Sequence, residues 1–250
     1  MNIIADLHTH TIASEHAYST INENAQAAYD AGLTYLATTD HSALPTGGAS
    51  LYFFSNLTNI PRTLYGVKIL RGIEANIIND RGMVDLHPRY MKSIDWVVAS
   101  FHDFAFPPPV FEYDLEKAKD IITDALLGVI RDPRVHVIGH VGDKRYPFHV
   151  DTVMKAISKS GKLVEINANS VNSRPGSEES CFEIASACIA YDVGMTVSSD
   201  AHHSSRIGEF SHSIDILERV GAKESHVVNS SVERLEEWFQ EHGIAPDLLS

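Results

Sequence analysis

Residues 1–11 read MNIIADLHTHT, an apolar run from Ile3 to Leu7 that ends directly in His8-Thr9-His10. On an extended strand, residues two apart point to the same side, so both imidazoles can face one centre. The same pattern, an apolar run closed by a polar residue able to bind metal or hydrogen-bond, recurs along the chain. Tyr35 to Thr39 leads into Asp40 and His41, and Val67 to Ile77 contains Glu74 near its end. Trp96 to Ser100 leads into His102, and Val135 to Gly139 into His140. Leu163 to Ile166 leads into Asn167 and Asn169, and Thr196 to Ser199 into Asp200 and His202.

Helical patterns fill the intervals: Asn22 to Ala31, Leu51 to Leu64 with an interruption at Pro61, Asp114 to Gly128, Val150 to Ser160, Glu178 to Tyr191, Ser213 to Val220 and Val232 to His242. Gly32 and Gly161 stand where helices stop, and Asp114 where one is capped. Asn79-Asp80-Arg81-Gly82 is a turn that folds Met83 to Leu86 back as a small hairpin. Seven strand-helix alternations predict parallel strands with helices outside, in one α/β barrel, closed or nearly so, spanning 1–250. The length, 250 residues, is ordinary for one such barrel. Barrel enzymes carry their sites at the C-terminal ends of the strands, where all seven runs deliver a polar residue.

Twenty Lys and Arg against 33 Asp and Glu give a net charge of -13. So acidic a surface repels a phosphate backbone, which argues against long nucleic acid as a partner. Cys181 and Cys188 lie seven apart on one helical face and read as packed thiols rather than a disulfide. The N-terminus has no basic region, and no run approaches a membrane span, so a cytoplasmic location and no membrane partner are expected.

Five separate strand ends carry histidine, and Glu and Asp occupy two more positions. That set points to a metal site and, with no thiol among it, to zinc, manganese or iron. A carboxylate such as Glu74 can bridge two ions. His87, His136, His149, His203, His212, His226 and His242 fall outside the pattern and are expected to be surface or core residues.

The series DLHTHT, TTDHS, RGIEAN, SFHD, IGHVG, SSDAH resembles, in order and spacing, the motif series of the PHP family (polymerase and histidinol phosphatase). HTHTIASEHAYST, ILRGIEANI, EINANSVNSRPGSEE and the segment SDAH to GEF resemble its YcdX group of phosphatases. The resemblance implies a distorted (β/α)7 TIM-like barrel with three divalent metal ions, zinc first, with manganese or iron as alternatives. One ion would take His8, His10, Glu74 and Asp200; a second would share Glu74 and take His102 and His140; a third would take His16, His41 and His202. Only the resemblance promotes His16, which lies in the loop ASEHAYS. The family's usual His-Pro after the fifth strand is His140-Val141 here. The group also makes a homo-oligomer, a trimer, compatible with the chain.

The expected reaction is hydrolysis of a small phosphomonoester. Two metals about 3.5–4 Å apart can clamp the attacking and leaving oxygens, and a bound water becomes the nucleophile near neutral pH. Glu74, Asp200 and Arg174 form the expected catalytic set, the first two through the metals and Arg174 on a phosphate oxygen; Arg145 and Lys144 could bind another such oxygen but read as solvated surface charges. Asp40 is expected to orient His41 or another ligand. One alternative is a phosphodiesterase acting on short nucleotides. A C–N amidohydrolase would often carry a bridging lysine at the fourth strand, where this chain has Ser100-Phe101-His102-Asp103. A non-enzymatic metal-binding regulator would show no turnover. Histidinol phosphate is suggested by the family name alone.

Overall fold

The computed structural model describes residues 1–43, 47–174 and 176–249. Pro175, inside one of the quoted motifs, lies outside the described residues. Eight strands are present among them: β1 (Ala5–Asp6), β2 (Tyr35–Thr38), β3 (Thr63–Leu64), β4 (Val67–Asn76), β5 (Trp96–Ser100), β6 (Val137–Ile138), β7 (Leu163–Asn167) and β8 (Met195–Ser198). Seven of them pair in parallel in the order β1-β2-β4-β5-β6-β7-β8, while β3 runs antiparallel along β4. Every residue of β2, β5 and β7 is buried, as expected for parallel strands covered on both faces.

The helices follow the strands: α1 (Ile21–Asp30), α2 (Leu51–Ser55), α3 (Leu115–Arg131), α4 (Val150–Ser160), α5 (Ser170–Ser173), α6 (Ser177–Ala190), α7 (Ser211–Arg219) and α8 (Val232–His242). Their starts and stops are local chemistry. Thr20 and Glu23 form a reciprocal cap on α1, and the Asp114 carboxylate accepts from Lys117 N–H at the start of α3. Gly161 ends α4 at φ 72°, where a side chain would be strained. The expected helix over 51–64 is corrected: α2 covers only Leu51–Ser55, a 3₁₀ turn follows at Leu57–Asn59, and Thr63–Leu64 is β3. Pro61 offers no N–H to a helix, so the chain turns out and pairs with β4. The expected hairpin after Ile77 reduces to one antiparallel bridge, Ile77 to Val84. Cys181 and Cys188 are both free and buried.

Period-two alternation sorts the strand residues between two cores. Ile69, Ile73, Val97, Ala99, Val164 and Ile166 pack outward with helix residues such as Ile122 and Val129 of α3 and Ile184 of α6. Leu70, Trp96, Val98, Val137 and Leu163 fill the barrel interior and are plugged from below by Leu235, Trp238 and Phe239 of α8. Continuing the inward register up the same strands reaches Glu74 and Asn76 in β4, Ser100 and then His102 beyond β5, and Glu165 and Asn167 in β7.

The barrel closes between its first and last strands without a regular ladder. At the upper end Asp200 N–H donates to His8 O at 3.0 Å, and His10 N–H to Ala201 O at 2.9 Å. Lower down, the buried Asn229 side chain stands in for a strand. Its amide nitrogen donates to Ala5 O at 2.8 Å and Val197 O at 2.7 Å, and its oxygen accepts from Val197 N–H at 3.0 Å. Alanine at 229 leaves three buried backbone groups unpaired. The expected loss is about 3–5 kcal/mol of unfolding free energy, at about 1–3 kcal/mol per orphaned group partly offset by relaxation. Urea denaturation measures it, and a loss below 1 kcal/mol would mean the seam is held elsewhere.

Candidate metal centre

The nine residues expected as ligands converge at the upper mouth of the barrel. Glu74 lies at the middle of the group. Its Oε2 is 3.3 Å from His8 Nε2, 3.6 Å from His10 Nε2 and 2.8 Å from His41 Nδ1. Its Oε1 is 3.0 Å from His140 Nε2 and 3.4 Å from His102 Nε2. Asp200 Oδ1 lies 3.2 Å from His10 Nε2, 3.8 Å from His8 Nε2 and 3.6 Å from His202 Nδ1. His16 closes the outer side, its Nε2 3.1 Å from that of His202. Three triads have ligand atoms all within 4.8 Å of one another: His8-His10-Asp200, His10-His41-His202 and His41-Glu74-His102.

Two residues of this cluster have unusual backbones. His140 adopts φ 25° and Asp200 φ 53°, a region that costs a non-glycine residue about 1–3 kcal/mol. Each is held by its own N–H, which donates to Glu165 Oε2 at 2.7 Å from His140 and to His8 O from Asp200. At His140, which follows β6, the turn takes the chain out of the ladder and aims the imidazole inward at Glu74.

The charges divide the set: against burial, Glu165, Glu74 and Asp200 hold His8 well above its usual range, and against burial Glu74 raises His41, so both would release protons on binding metal. Burial opposes ionisation of Glu74, but His8, His102 and His41 outweigh it and hold the carboxyl well below its usual range. Asp200 is likewise held well below, by His8, His10 and Arg174 against its burial. Burial, with His202 and His41 nearby, pushes His10 well down, and burial lowers His102 to about 4. Both rings are therefore neutral at neutral pH, the form that binds metal. His8 Nε2, both nitrogens of His10, His41 Nδ1 and Glu74 Oε2 are buried without a hydrogen-bond partner. The 2.8 Å approach of His41 to Glu74 is close but not aligned as a hydrogen bond. Buried polar atoms are rarely left unpaired, and here the orphans are clustered donor atoms around one carboxylate. The residues present thus fit divalent cations.

Outside this ring, Asn76 Oδ1 pairs with His102 Nδ1 at 2.7 Å, and the Asn76 amide donates to Asp85 at 2.8 Å. Asp40 does not touch a ligand ring, contrary to expectation. It accepts from Thr11 N–H at 2.7 Å, Thr11 Oγ1 at 2.8 Å and Ser14 Oγ at 2.7 Å, fixing the loop that carries His16. Glu165, unforeseen from the sequence, is a wholly buried carboxylate 2.7 Å from His8 Nδ1.

A cavity of about 300 Å³ opens above the cluster, with His41, Glu74 and Asp200 in its floor and Asn169, Ser173 and Arg174 in one wall. Arg174 reaches Asp200 Oδ2 at 3.4 Å and Ser173 Oγ at 3.1 Å, and its side chain is 12% exposed. Arg145 and Lys144 do not line this cavity. Arg145 is held by Asp143 at 2.7 Å and Asp103 at 3.2 Å, and Lys144 by Glu179 at 2.6 Å, so both stand as surface charges, the reading preferred for them. A wider cleft of about 790 Å³ between α4 and α6 contains none of the expected ligands.

A nearly closed parallel barrel with a histidine-carboxylate cluster at its mouth is the architecture of a family to which this chain belongs: the PHP domain family, whose profile matches residues 6–169. A probable phosphatase of Thermoanaerobacter sp. (strain X514) is 41% identical over 242 residues, 96% of each chain. A probable phosphatase of Caldanaerobacter subterraneus subsp. tengcongensis is 42% identical over 242 residues, 96% of this chain and 92% of that one. Among solved structures, histidinol phosphate phosphatase from Lactococcus lactis, complexed with zinc, L-histidinol and phosphate, superposes with a TM-score of 0.66 at 16% identity, over 89% of this chain and 95% of that one. That likeness supports the barrel fold. No helix among the described residues is long and apolar enough to cross a membrane.

Proposed function

We propose that this protein is a metal-dependent phosphatase that hydrolyses small phosphomonoesters at a centre of three divalent ions. The observation that carries the reading is the cluster of buried, unpartnered ligand atoms around Glu74, beneath a cavity whose wall presents Arg174. His8, His10, Glu74 and Asp200 would hold one ion, Glu74 with His102 and His140 a second, and His16, His41 and His202 a third. When bound, such ions supply Lewis-acid charge to the phosphoryl oxygens and lower the pKa of water. Zinc is favoured by the imidazole-rich donor set and by the zinc in the Lactococcus protein. Phosphate esters are favoured by the relatives' names and by the Arg174 fork, whose geometry matches two phosphate oxygens. A cavity of about 300 Å³ suits a small monoester rather than a polymer.

The chain's own residues divide the remaining work. Glu74 and Asp200 place negative charge where the ions gather, and Arg174 orients the phosphoryl group. The present contact of Arg174 with Asp200, at 3.4 Å, is loose enough to be exchanged for a substrate oxygen. Arg174→Ala should raise KM for small phosphates about 10–100-fold, the equivalent of one charge-assisted hydrogen bond, with a smaller change in kcat. An unchanged KM would remove Arg174 from the site.

The deciding experiment compares turnover of p-nitrophenyl phosphate and bis-p-nitrophenyl phosphate on one preparation with metals counted per chain. Fast monoester cleavage with about three ions per chain supports the proposal. Preference for the diester would favour short nucleotides, and no turnover of either by the metal-loaded protein would overturn the phosphatase reading.

A further inference from the structure

Glu165 occupies the centre of β7, in the run LVEIN, with no solvent exposure. Its Oε1 lies 2.7 Å from His8 Nδ1. Its Oε2 accepts from His140 N–H at 2.7 Å and from the Asn167 side-chain amide at 3.1 Å. The same Asn167 nitrogen donates to Asp200 Oδ2 at 3.2 Å. One carboxylate thereby ties together residues that follow β1, β6 and β8, three separate strand ends.

We propose that Glu165 is a positioning residue that selects the tautomer of His8 and holds His140 and Asp200 in register with it, so that it sets the affinity of this side of the centre for zinc. The inference rests on the metal reading above. A neutral imidazole carries one N–H and one lone pair. A carboxylate facing Nδ1 keeps the proton there and leaves the Nε2 lone pair aimed toward Glu74 and Asp200, where His8 Nε2 has no other partner. Both partners of Oε2 are fixed donors, so this oxygen must remain an acceptor. The same bond restrains His140 at its positive φ.

Glutamine at 165 tests this with almost no change in volume. Its one oxygen is needed opposite His140 N–H and Asn167, which places its NH₂ against His8 Nδ1. That favours the opposite tautomer, with an N–H on Nε2 where the lone pair is required. A side chain that only fills space would be replaced by glutamine without consequence.

Wild type and Glu165→Gln, both stripped by a chelator, are titrated with zinc against a chromophoric competitor, with circular dichroism and thermal unfolding of the metal-free forms as the check on folding. Glu165→Gln should bind its weakest-held ion about 10–100-fold less tightly than wild type does. Equal affinity and stoichiometry would overturn the proposal while leaving the metal reading intact. Absence of zinc binding by the wild type would overturn both. Should the variant not fold, ¹⁵N-histidine NMR of the zinc-loaded wild type decides: His8 protonated on Nδ1 supports the assignment, and His8 protonated on Nε2 overturns it.

Discussion

Glu74→Ala is expected to yield a folded, soluble chain whose turnover of phosphate monoesters falls on the order of 10³-fold or more. Among the described residues, Glu74 is the one whose two oxygens together approach five of the histidines, at 2.8–3.6 Å. Alanine leaves those rings facing one another with no central anion, so the ions they would share are held weakly or lost. Metal charge at a phosphoryl centre contributes several kcal/mol of transition-state stabilisation, and each 1.36 kcal/mol is tenfold in rate. Folding should suffer little, because β4 keeps its register with β5, Glu74 opposite Val98, through backbone bonds alone. Removal of the carboxylate does leave His8 and His41 without this anionic partner, a cost to the metal-free fold that the intact backbone ladder outlasts. The check is kcat together with ions per chain and the recovered soluble fraction. Near-normal turnover with full occupancy would show that Glu74 is not a ligand.

Stripping the metal should lower thermal stability substantially. Without cations, the centre packs Glu74, Asp200 and Glu165 among imidazoles, several of whose buried nitrogens have no partner. A ligand that binds only the folded state at 100 times its Kd adds about 2.7 kcal/mol. For a chain of this size that shifts the midpoint roughly 5–11 °C, and each further ion adds its own increment. Differential scanning calorimetry of chelator-treated protein, before and after zinc is restored, measures it. A midpoint that does not move with saturating zinc would contradict the metal centre.

Much of the site could be read in the sequence because a barrel projects the residue after each apolar run toward one mouth. His8, His10, His41, His102, His140, Asp200 and His202 were all legible by that rule. His16 was not, since it sits on a loop that long-range bonds place beside His202: the Asp40 network and the bond from Tyr18 N–H to His202 O. Glu165 was hidden for the opposite reason: it is inside a strand rather than at its end. Its signal was the carboxylate in the inward register between Leu163 and Asn167, which no apolar core accommodates without a partner. Asn229 gave no signal at all, because a lone asparagine in a turn becomes a strand surrogate only when β1 and β8 flank it. Over 51–64, apolar spacing places the interruption at Pro61, whereas the helix already ends at Ser55 and the residues past the proline form a strand.

The barrel's seam runs through the cluster: His8 and His10 bond across it to Asp200 and Ala201. About 190 residues separate the two sides, which at ribosomal speeds of about 5–20 residues per second means tens of seconds of synthesis. During that interval the early histidines have emerged without the partners that complete their pocket. Ring closure and assembly of the two ligand sets that span the seam, His8-His10-Asp200 and His10-His41-His202, are therefore one late, long-range event, and they should coincide in refolding. Zinc uptake would then track the fluorescence change as Trp238 of α8 docks on Trp96. An emerging chain built this way cannot complete the His8-His10-Asp200 and His10-His41-His202 sets until it has become a finished barrel.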